Sequence, residues 1–532
     1  MFKKSIFILV LLTAGVLALF AGGQQNSTVT GPALPAQSGP VTYPVTGNPR
    51  ITYSRIPDAD FFNSGFTSLN DSPVIKAWIK QTGINVDIIQ LADEAAYMLY
   101  LAAGTPPDIV QVWKGFYGGI GKMHEDGLAQ DLTDLLPVYA PDYWALINSD
   151  DQYMIPIREP DGRHYAVAGY LQEIPGFNAS WFGLVARKEF LDKLNMTAPE
   201  TPNEFYTYLK GLKDELRIET PFMFGSNRLD NLFNQGALPS GFGLPSAGFY
   251  QLNGRVHFGA YDPQYRELLA FMNRLFSEGL LDNNFAVTDD NTTYSSVVNG
   301  KTGLTAFGSA TFPNLANAAN NAPDFNLMGL SSMTTAKGVK PMWSLTDLPV
   351  TTSYWCFLPD RCRDAANSLK LLNYLHTKEG HILGNFGEEN VTFTYENGQP
   401  VFTQFVMNNP RGIALNAVMH AYTLIGFPIM QDNRMSRQRM GSQMQIQATE
   451  AWSNSDIAKY RIINSSILAQ YADEYAGLVT DINTFVRESR AQFISGALPV
   501  DRYESYYIPA LKNMGMDRLI QIAQESFNFY NK

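Results

Sequence analysis

The sequence predicts an α/β protein that begins with a mostly parallel sheet. Strand-like and helix-like patterns alternate from residue 51 to residue 112 in the order β-α-β-α-β. Gly83 and Gly104 punctuate the ends of the two helices, and Pro106 and Pro107 precede the third strand. The predicted segments are strands at 51–54, 84–89 and 109–112 and helices at 73–80 and 93–103. Ligands of such sheets bind beyond the carboxyl ends of the strands, which draws attention to the residues after 112.

The rest of the chain is expected to be rich in helix. Thr201 and Glu204 form a capping box that begins a helix ending near Lys213. Apolar residues at helical spacing predict further helices at 366–375 and 482–493. A strand is predicted at 302–307, and the sequence contains no internal repeat.

Length and charge restrict the architecture and the partners. A chain of 532 residues favours two compact domains. The formal net charge is -11, and no basic run interrupts it. An acidic surface of this size argues against nucleic acid and anionic lipid as partners.

The N-terminus has the pattern of an export signal. Lys3 and Lys4 precede an apolar run at 5–20, and the small residues Ala21 and Gly22 follow it. We therefore expect a signal peptide at 1–21 and a disordered tether at 22–49, with an uncleaved anchor as the alternative. No cysteine lies near the cleavage point, so we expect a periplasmic protein without lipid attachment.

Two cysteines, Cys356 and Cys362, leave two interpretations open. Export would permit a disulfide between them. Two buried thiols explain the same residues equally well.

Catalytic and metal-binding motifs are incomplete. The sequence has no Gly-x-Ser-x-Gly element, and the segment around Lys301 lacks the first glycine of a phosphate loop. His376, Glu379 and His381 miss the metalloprotease spacings by one residue. We therefore expect no cofactor, no metal and no catalytic activity. A secreted glycoside hydrolase or lyase stays open as the alternative, because distant carboxylate pairs cannot be recognised from sequence.

Several ordered motifs resemble extracellular solute-binding proteins of family 1, in the large lipoprotein-like branch that serves carbohydrate importers. The motifs that carry the resemblance are AGTPPDIV (103–110), GRHYAV (162–167), LVARKEFLDKL (184–194), PETPNEF (199–205), FISG (493–496), MGM (514–516) and QE (524–525). The sequence departs from the family pattern at Asn390, where relatives commonly have glycine, and in lacking a lipid-attachment cysteine.

The resemblance implies a two-lobed, periplasmic-binding-protein-like fold of type II with discontinuous lobes. The first lobe would hold 50–168 plus 345–385, and the second 169–344 plus 386–532. It also implies a monomer that captures an oligosaccharide between the lobes and delivers it to the permease subunits of an ABC importer.

Sugar binding requires flat apolar faces together with planar polar groups in loops. The candidate ligand-binding residues therefore follow strands or flank the two expected crossovers between lobes. They are Trp113, Lys114, Tyr117, Glu173, Asn178, Trp181, Asn227, Arg228, Thr311, Phe312, Trp343, Tyr354 and Trp355. Trp78, on an amphipathic helix, is expected in the core.

We expect a metal chelator to leave the thermal stability of the protein unchanged. Many members of the resembled family carry an oxygen-rich calcium loop after the helix that begins near Thr201, whereas residues 209–219 here read LKGLKDELRIE. The melting temperature in EDTA should therefore equal that in buffer. A large drop that added calcium reverses would contradict this prediction.

Overall fold

The structure is a computed structural model that describes residues 40–172, 180–320, 322, 324–346, 349–440 and 442–531. The predicted signal peptide and most of the predicted tether lie outside this part of the chain. The last residues of the tether are packed, in contrast to our expectation. The hydroxyl of Tyr43 donates to the carbonyl of Lys370 at 2.6 Å, and the amide of Val45 donates to Thr82 at 2.7 Å.

Short strands alternate with helices along the described chain. The strands are β1 (Arg50–Arg55), β2 (Asn85–Gln90), β3 (Ile109–Val112), β4 (Val167–Leu171), β5 (Ser180–Arg187), β6 (Phe249–Leu252), β7 (Arg255–Phe258), β8 (Leu304–Gly308), β9 (Leu327–Leu330), β10 (Leu345–Thr346), β11 (Val350–Phe357), β12 (Phe393–Glu396), β13 (Gln399–Phe402) and β14 (Met430–Gln431).

The helices up to the return of the chain at β11 are α1 (Ala59–Phe62), α2 (Pro73–Thr82), α3 (Glu94–Ala102), α4 (Ile120–Glu125), α5 (Leu136–Tyr139), α6 (Pro141–Ile147), α7 (Asp151–Met154), α8 (Lys188–Lys193), α9 (Pro202–Asp214), α10 (Leu229–Asn234), α11 (Gln264–Ser277), α12 (Asp290–Val298) and α13 (Phe312–Ala318). Those after β11 are α14 (Ala365–Tyr374), α15 (Lys378–Phe386), α16 (Gln404–Met407), α17 (Leu415–Tyr422), α18 (Asn433–Gln438), α19 (Gln443–Ser453), α20 (Ala472–Ser495), α21 (Ile508–Asn513) and α22 (Met516–Tyr530). Among the described residues, none of the helices is long and apolar enough to cross a membrane.

The first sheet has the strand order β14-β4-β11-β3-β1-β2. Strands β1, β2 and β3 are parallel, as predicted, and β14 is parallel to β4. Strand β11 is antiparallel to both of its neighbours, β3 and β4. The carboxyl ends of β1, β2, β3 and β4 therefore lie on one edge of the sheet, together with the amino end of β11.

The second sheet is centred on β5, which pairs antiparallel with β8, β9 and β10. Its core is separate from that of the first sheet. The core of the first sheet includes Trp78, which is fully buried as predicted. The second core packs β5 and β8 against α9, α11 and the C-terminal helix α20. Thr201 caps α9 through the predicted capping box with Glu204.

The segment 386–435 packs with the first sheet, which corrects the expected lobe boundary at residue 385. Strand β14 pairs with β4, and α17 contacts α1 and α2. The chain then reaches α19, which packs on β5 and β9 of the second sheet. The third crossing between the sheets therefore lies near residue 440. The hairpin of β12 and β13 has its own small core with Phe386 and Met435, which has no simple periodic pattern in the sequence.

Asp108 ties three segments of the first sheet together just before β3. Its buried carboxylate accepts hydrogen bonds from the Thr52 amide at 2.8 Å and from the Arg363 guanidinium at 2.7 Å. Burial alone would raise the pKa of Asp108, but the hydrogen bonds from Arg363 and Thr52 outweigh burial and hold the pKa below its usual value. The ionised form therefore stabilises the folded state.

The variant Asp108→Asn should lower the free energy of unfolding by about 1–3 kcal/mol at pH 7, because a buried acceptor of charged and backbone donors is lost. A carboxyl group with a lowered folded-state pKa stabilises the protein above its unfolded pKa, and this contribution is lost as the pH falls through the folded pKa. The difference between wild type and variant should thus shrink below about pH 4.

Urea unfolding at pH 7 and at a pH below about 4 measures the difference in the free energy of unfolding between wild type and variant. Asp192→Asn serves as the control, because Asp192 is 60% exposed and forms a surface ion pair with Lys188 on α8. An equal effect of both substitutions would contradict the role of Asp108.

Candidate ligand-binding site

Trp113 follows β3 directly and is held in place by two contacts. Its indole Nε1 donates to Oε1 of Glu94, at the start of α3, at 2.7 Å. Its six-membered ring occupies the space next to Gly115, where a Cβ atom would lie 2.0 Å from Cζ3. The side chain remains 47% exposed. A large apolar surface is thus fixed in orientation and open to solvent at the ligand-binding edge of the sheet.

Lys114 turns away from solvent beside Trp113. Its amide donates to the carbonyl of Thr352 at 2.7 Å, which joins the loop to β11. Its Nζ donates to the Pro156 carbonyl at 3.2 Å and lies 5.4 Å from the ring centre of Trp355. Burial lowers the pKa of Lys114, and the nearby Glu159 carboxylate opposes this shift.

A cavity of about 790 Å³ opens next to this loop. One wall comes from the first-sheet side, and the other from residues that precede or belong to the C-terminal helices. The first wall contains Lys114, Tyr117, Gly118, Gly119, Ile120, Gly121, Lys122, His124, Glu125, Glu159, Pro160, Asp161, Arg163, Tyr165 and Trp355, and the second contains Ser466, Ile467, Ala472 and Tyr530. The volume falls within the range of small-molecule sites, about 300–1,000 Å³.

Sequence reasoning missed the polar residues of 159–165. Glu159 lies against the Cα of Gly121, where a Cβ atom would be 2.8 Å from Oε2. Burial raises the pKa of Glu159, and the charge of Lys114 partly offsets this shift. Tyr165 stacks on His124 with ring centres 4.0 Å apart. In the sequence, the motif GRHYAV indicates only a family resemblance, and no periodic pattern connects it with Lys114.

A second cavity, of about 220 Å³, is lined by Trp113 and Phe116 of the same loop, residues 113–119, which is called the Trp113 loop below. Tyr354 and Glu94 line it, together with an ion pair between Arg55 and Asp58 at 2.8 Å. The structure thus brings together five of the predicted residues at the edge of the first sheet. They are Trp113, Lys114, Tyr117, Tyr354 and Trp355. Trp355 contributes little surface, because it is 2% exposed and its Nε1 donates to the Thr351 carbonyl.

Trp181 lies at the start of β5, on the second sheet. It is 39% exposed, and a Cβ atom on Gly308 would lie 3.4 Å from its ring. Thr311 is in the turn that follows β8 on the same edge. Trp181 and Thr311 therefore belong to one local surface of the second sheet.

Asn227 and Arg228 both bind Asp290 rather than pointing freely into solvent. The Arg228 guanidinium lies 2.6 Å from Asp290, and the Asn227 amide donates to the same carboxylate at 3.2 Å. The hydrogen bond from Arg228 to Asp290 raises the pKa of the guanidinium. These two side chains are therefore already engaged at the start of α12.

Two aromatic candidates pack in or against the protein core. Phe312 is fully buried between Phe307 and Trp452, so its expected role in ligand contact is corrected to core packing. Trp343 packs against the second core and Gly236, where a Cβ atom would lie 2.5 Å from the Trp343 Cβ. The candidates Glu173 and Asn178 lie in 173–179, outside the described residues.

Both cysteines are free thiols in this structure. Cys356 is buried within β11, with its Sγ 3.1 Å from the Tyr53 hydroxyl, and burial raises its pKa to about 12. Cys362 is half-buried, and its Sγ lies 3.8 Å from the Ser368 hydroxyl. In the described part of the chain, no group of three or more His, Cys, Asp or Glu side chains could hold a metal ion.

The variant Gly115→Ala should displace the Trp113 ring, because the new Cβ atom would overlap it. Gly115 has φ −90° and ψ 3°, which alanine can adopt, so the backbone should not change. The indole N–H signal of Trp113 in a ¹H–¹⁵N spectrum, assigned with Trp113→Phe, should shift as its hydrogen bond to Glu94 breaks. Gly308→Ala is the matched control, since its Cβ contact with Trp181 is an ordinary 3.4 Å. An unshifted Trp113 signal in Gly115→Ala would contradict the packing.

No family model matches the chain. Three curated relatives do. The chain is 24% identical over 362 residues to lipoprotein LipO of Bacillus subtilis. This alignment covers 64% of this chain and 67% of the relative. It is 23% identical to the fructooligosaccharide ABC transporter substrate-binding protein FusA of Streptococcus pneumoniae, over 51% of this chain and 52% of the relative. It is 24% identical to the polygalacturonan/rhamnogalacturonan-binding protein YtcQ of Bacillus subtilis, over 56% and 55%. The chain thus spans about half the length of the last two relatives.

Solved structures share the fold over most of the chain. The alginate-binding protein AlgQ2 without calcium ion superposes with a TM-score of 0.62 at 20% identity, over 91% of this chain and 99% of that one. A solute-binding protein described as HMO-binding and ABC-transporter associated, from Bifidobacterium longum infantis, gives 0.67 at 17% identity, over 91% and 100%. The chain therefore has the two-lobed periplasmic-binding-protein-like fold. The similarity in sequence to these solute-binding proteins agrees with the resemblance of its motifs to extracellular solute-binding proteins of family 1.

Proposed function

We propose that the chain is the substrate-binding component of an ABC importer and captures an oligosaccharide at the edge of the first sheet. The observation that carries the proposal is the oriented, half-exposed indole of Trp113, which lines the smaller cavity, while the next residue, Lys114, lines the larger one. Such a surface suits the C–H face of a pyranose or furanose ring. The names of two curated relatives, a fructooligosaccharide ABC transporter substrate-binding protein and a polygalacturonan/rhamnogalacturonan-binding protein, support a carbohydrate as the ligand.

The polar groups around Trp113 support the same ligand class. Lys114 and Tyr117 supply donors, and Glu159 and Asp161 supply carboxylate oxygens at the wall of the larger cavity. Sugar hydroxyls both donate and accept hydrogen bonds, so a wall that mixes donors and acceptors can satisfy them. The second lobe would contribute Trp181 and the residues near Ser466 when the ligand is bound.

The same proposal includes the other expected properties of a transport component. We propose an exported, periplasmic monomer that delivers its ligand to permease subunits and has no catalytic activity. The relatives whose names state an activity are binding proteins rather than enzymes, which favours this proposal over a secreted glycoside hydrolase or lyase.

Trp113→Ala should weaken oligosaccharide binding at least tenfold while the fold survives. Truncating an aromatic anchor costs about 2–4 kcal/mol, which corresponds to roughly thirty- to a thousandfold in Kd. A thermal-shift screen of the mature protein against a glycan panel first identifies a bound oligosaccharide, because a ligand of the folded state raises the melting temperature. Calorimetric titration of wild type and variant with that oligosaccharide then measures the loss.

Leu99→Ala is the matched control, since Leu99 is an apolar residue of neighbouring α3 that is 74% exposed. This variant should bind as wild type does. Normal binding by Trp113→Ala, or failure of that variant to fold, would refute Trp113 as a ligand platform. A panel in which no glycan binds would refute the proposed function.

A further inference from the structure

Two of the three cations at the wall of the larger cavity have carboxylate partners. Lys122 pairs with Asp126 at 2.5 Å, and Arg163 pairs with Asp131. The third cation, Lys114, is mostly removed from water, and its Nζ donates to the Pro156 carbonyl at 3.2 Å. Among the lining residues that the structure describes, Lys114 is therefore the one cation outside a salt bridge.

The larger cavity has no surplus of positive charge. Its lining contains three cations, the two lysines and Arg163, and three carboxylates, Glu125, Glu159 and Asp161. With histidine counted as neutral, the charges of the described lining therefore sum to three minus three, a net charge of zero. Asp126 and Asp131, which pair with two of the cations, lie outside the lining.

The smaller cavity beside Trp113 repeats this arrangement. Its Arg55 pairs with Asp58 at 2.8 Å, and the carboxylate of Glu94 accepts the indole N–H of Trp113. The charged residues of its described lining, one cation and two acids, therefore sum to a net charge of one minus two, or -1. Both cavities thus present acceptors without a surplus of positive charge, on a chain whose formal net charge is -11.

This charge arrangement bears on the class of sugar that can enter. A polyuronate carries one carboxylate per ring, and removing each from water requires a charge-assisted donor such as a bidentate arginine. A neutral sugar presents hydroxyl groups that can donate to the wall carboxylates and accept from Lys114. We propose that the site selects neutral, hydroxyl-rich oligosaccharides and rejects polyuronates, an inference that rests on the function proposed above.

The test compares oligosaccharides that differ only in charge. Suitable pairs are β-1,4-mannotetraose with β-1,4-tetramannuronate, and the methyl ester of α-1,4-tetragalacturonate with its free acid. Calorimetric titration at pH 7 and low salt is evaluated for each linkage in which at least one member binds. The neutral member should bind about tenfold more tightly, since the four ring carboxylates of the uronate would meet, in the described lining, a single cation outside a salt bridge, Lys114. Equal or tighter binding of the uronate would overturn the inference, whereas a broad panel without any binding would contradict the proposed function instead.

A charge variant tests whether the matched cations cause the selectivity. Asp126→Asn leaves Lys122 without its carboxylate at the cavity wall, so uronate affinity should rise by about threefold relative to the neutral partner. Asp214→Asn is the matched control. It removes the same charge from a similar pair, Lys210 with Asp214 at 2.8 Å on α9. An unchanged ratio in Asp126→Asn, or the same change in both variants, would contradict the assigned cause.

Discussion

The insertion of β11 between β3 and β4 is the constraint on which the candidate site depends. The chain returns from the second sheet at Val350 and runs antiparallel to both neighbours. This return places Thr352 where its carbonyl accepts the amide of Lys114, and it places the Trp355 ring near the Lys114 ammonium. The loop after β3 is thereby fixed by residues more than two hundred positions away in the sequence. An exposed tryptophan held in this way is already oriented when a ligand arrives, so less conformational entropy is lost on binding.

Electrostatics complement this rigid apolar surface. The protein is acidic overall, yet its cations near the cavities are closely matched with carboxylates, as in the pairs of Lys122 with Asp126 and Arg55 with Asp58. Matched pairs near a surface contribute little to stability. They do, however, hold the two side chains of each pair in place.

Local pattern was enough to predict some of this arrangement. The β-α-β-α-β start, the capping box at Thr201 and the position of Trp113 after β3 follow from turn chemistry, hydrophobic periodicity and the strand-end rule. These features depend on residues close together in the chain.

Features that depend on contacts between residues far apart in the sequence could not be predicted from local patterns. Phe312 looked like a loop aromatic after a strand, but Trp452, from α19, buries it. Glu159 gains its importance only because the fold brings it beside Lys114 and Gly121. The assignment of 386–435 failed because a two-residue strand, β14, decides it, and so short a segment has no recognisable period.

Hydrogen–deuterium exchange with and without a saturating oligosaccharide shows whether a sugar binds between the Trp113 loop and the C-terminal segment. We expect slower exchange in peptides covering 112–125 and 159–165 and, from the opposite wall of the cavity, 466–472. Slower exchange confined to other regions, such as the separate cavity of about 450 Å³ lined by His376 and Arg434, would contradict it.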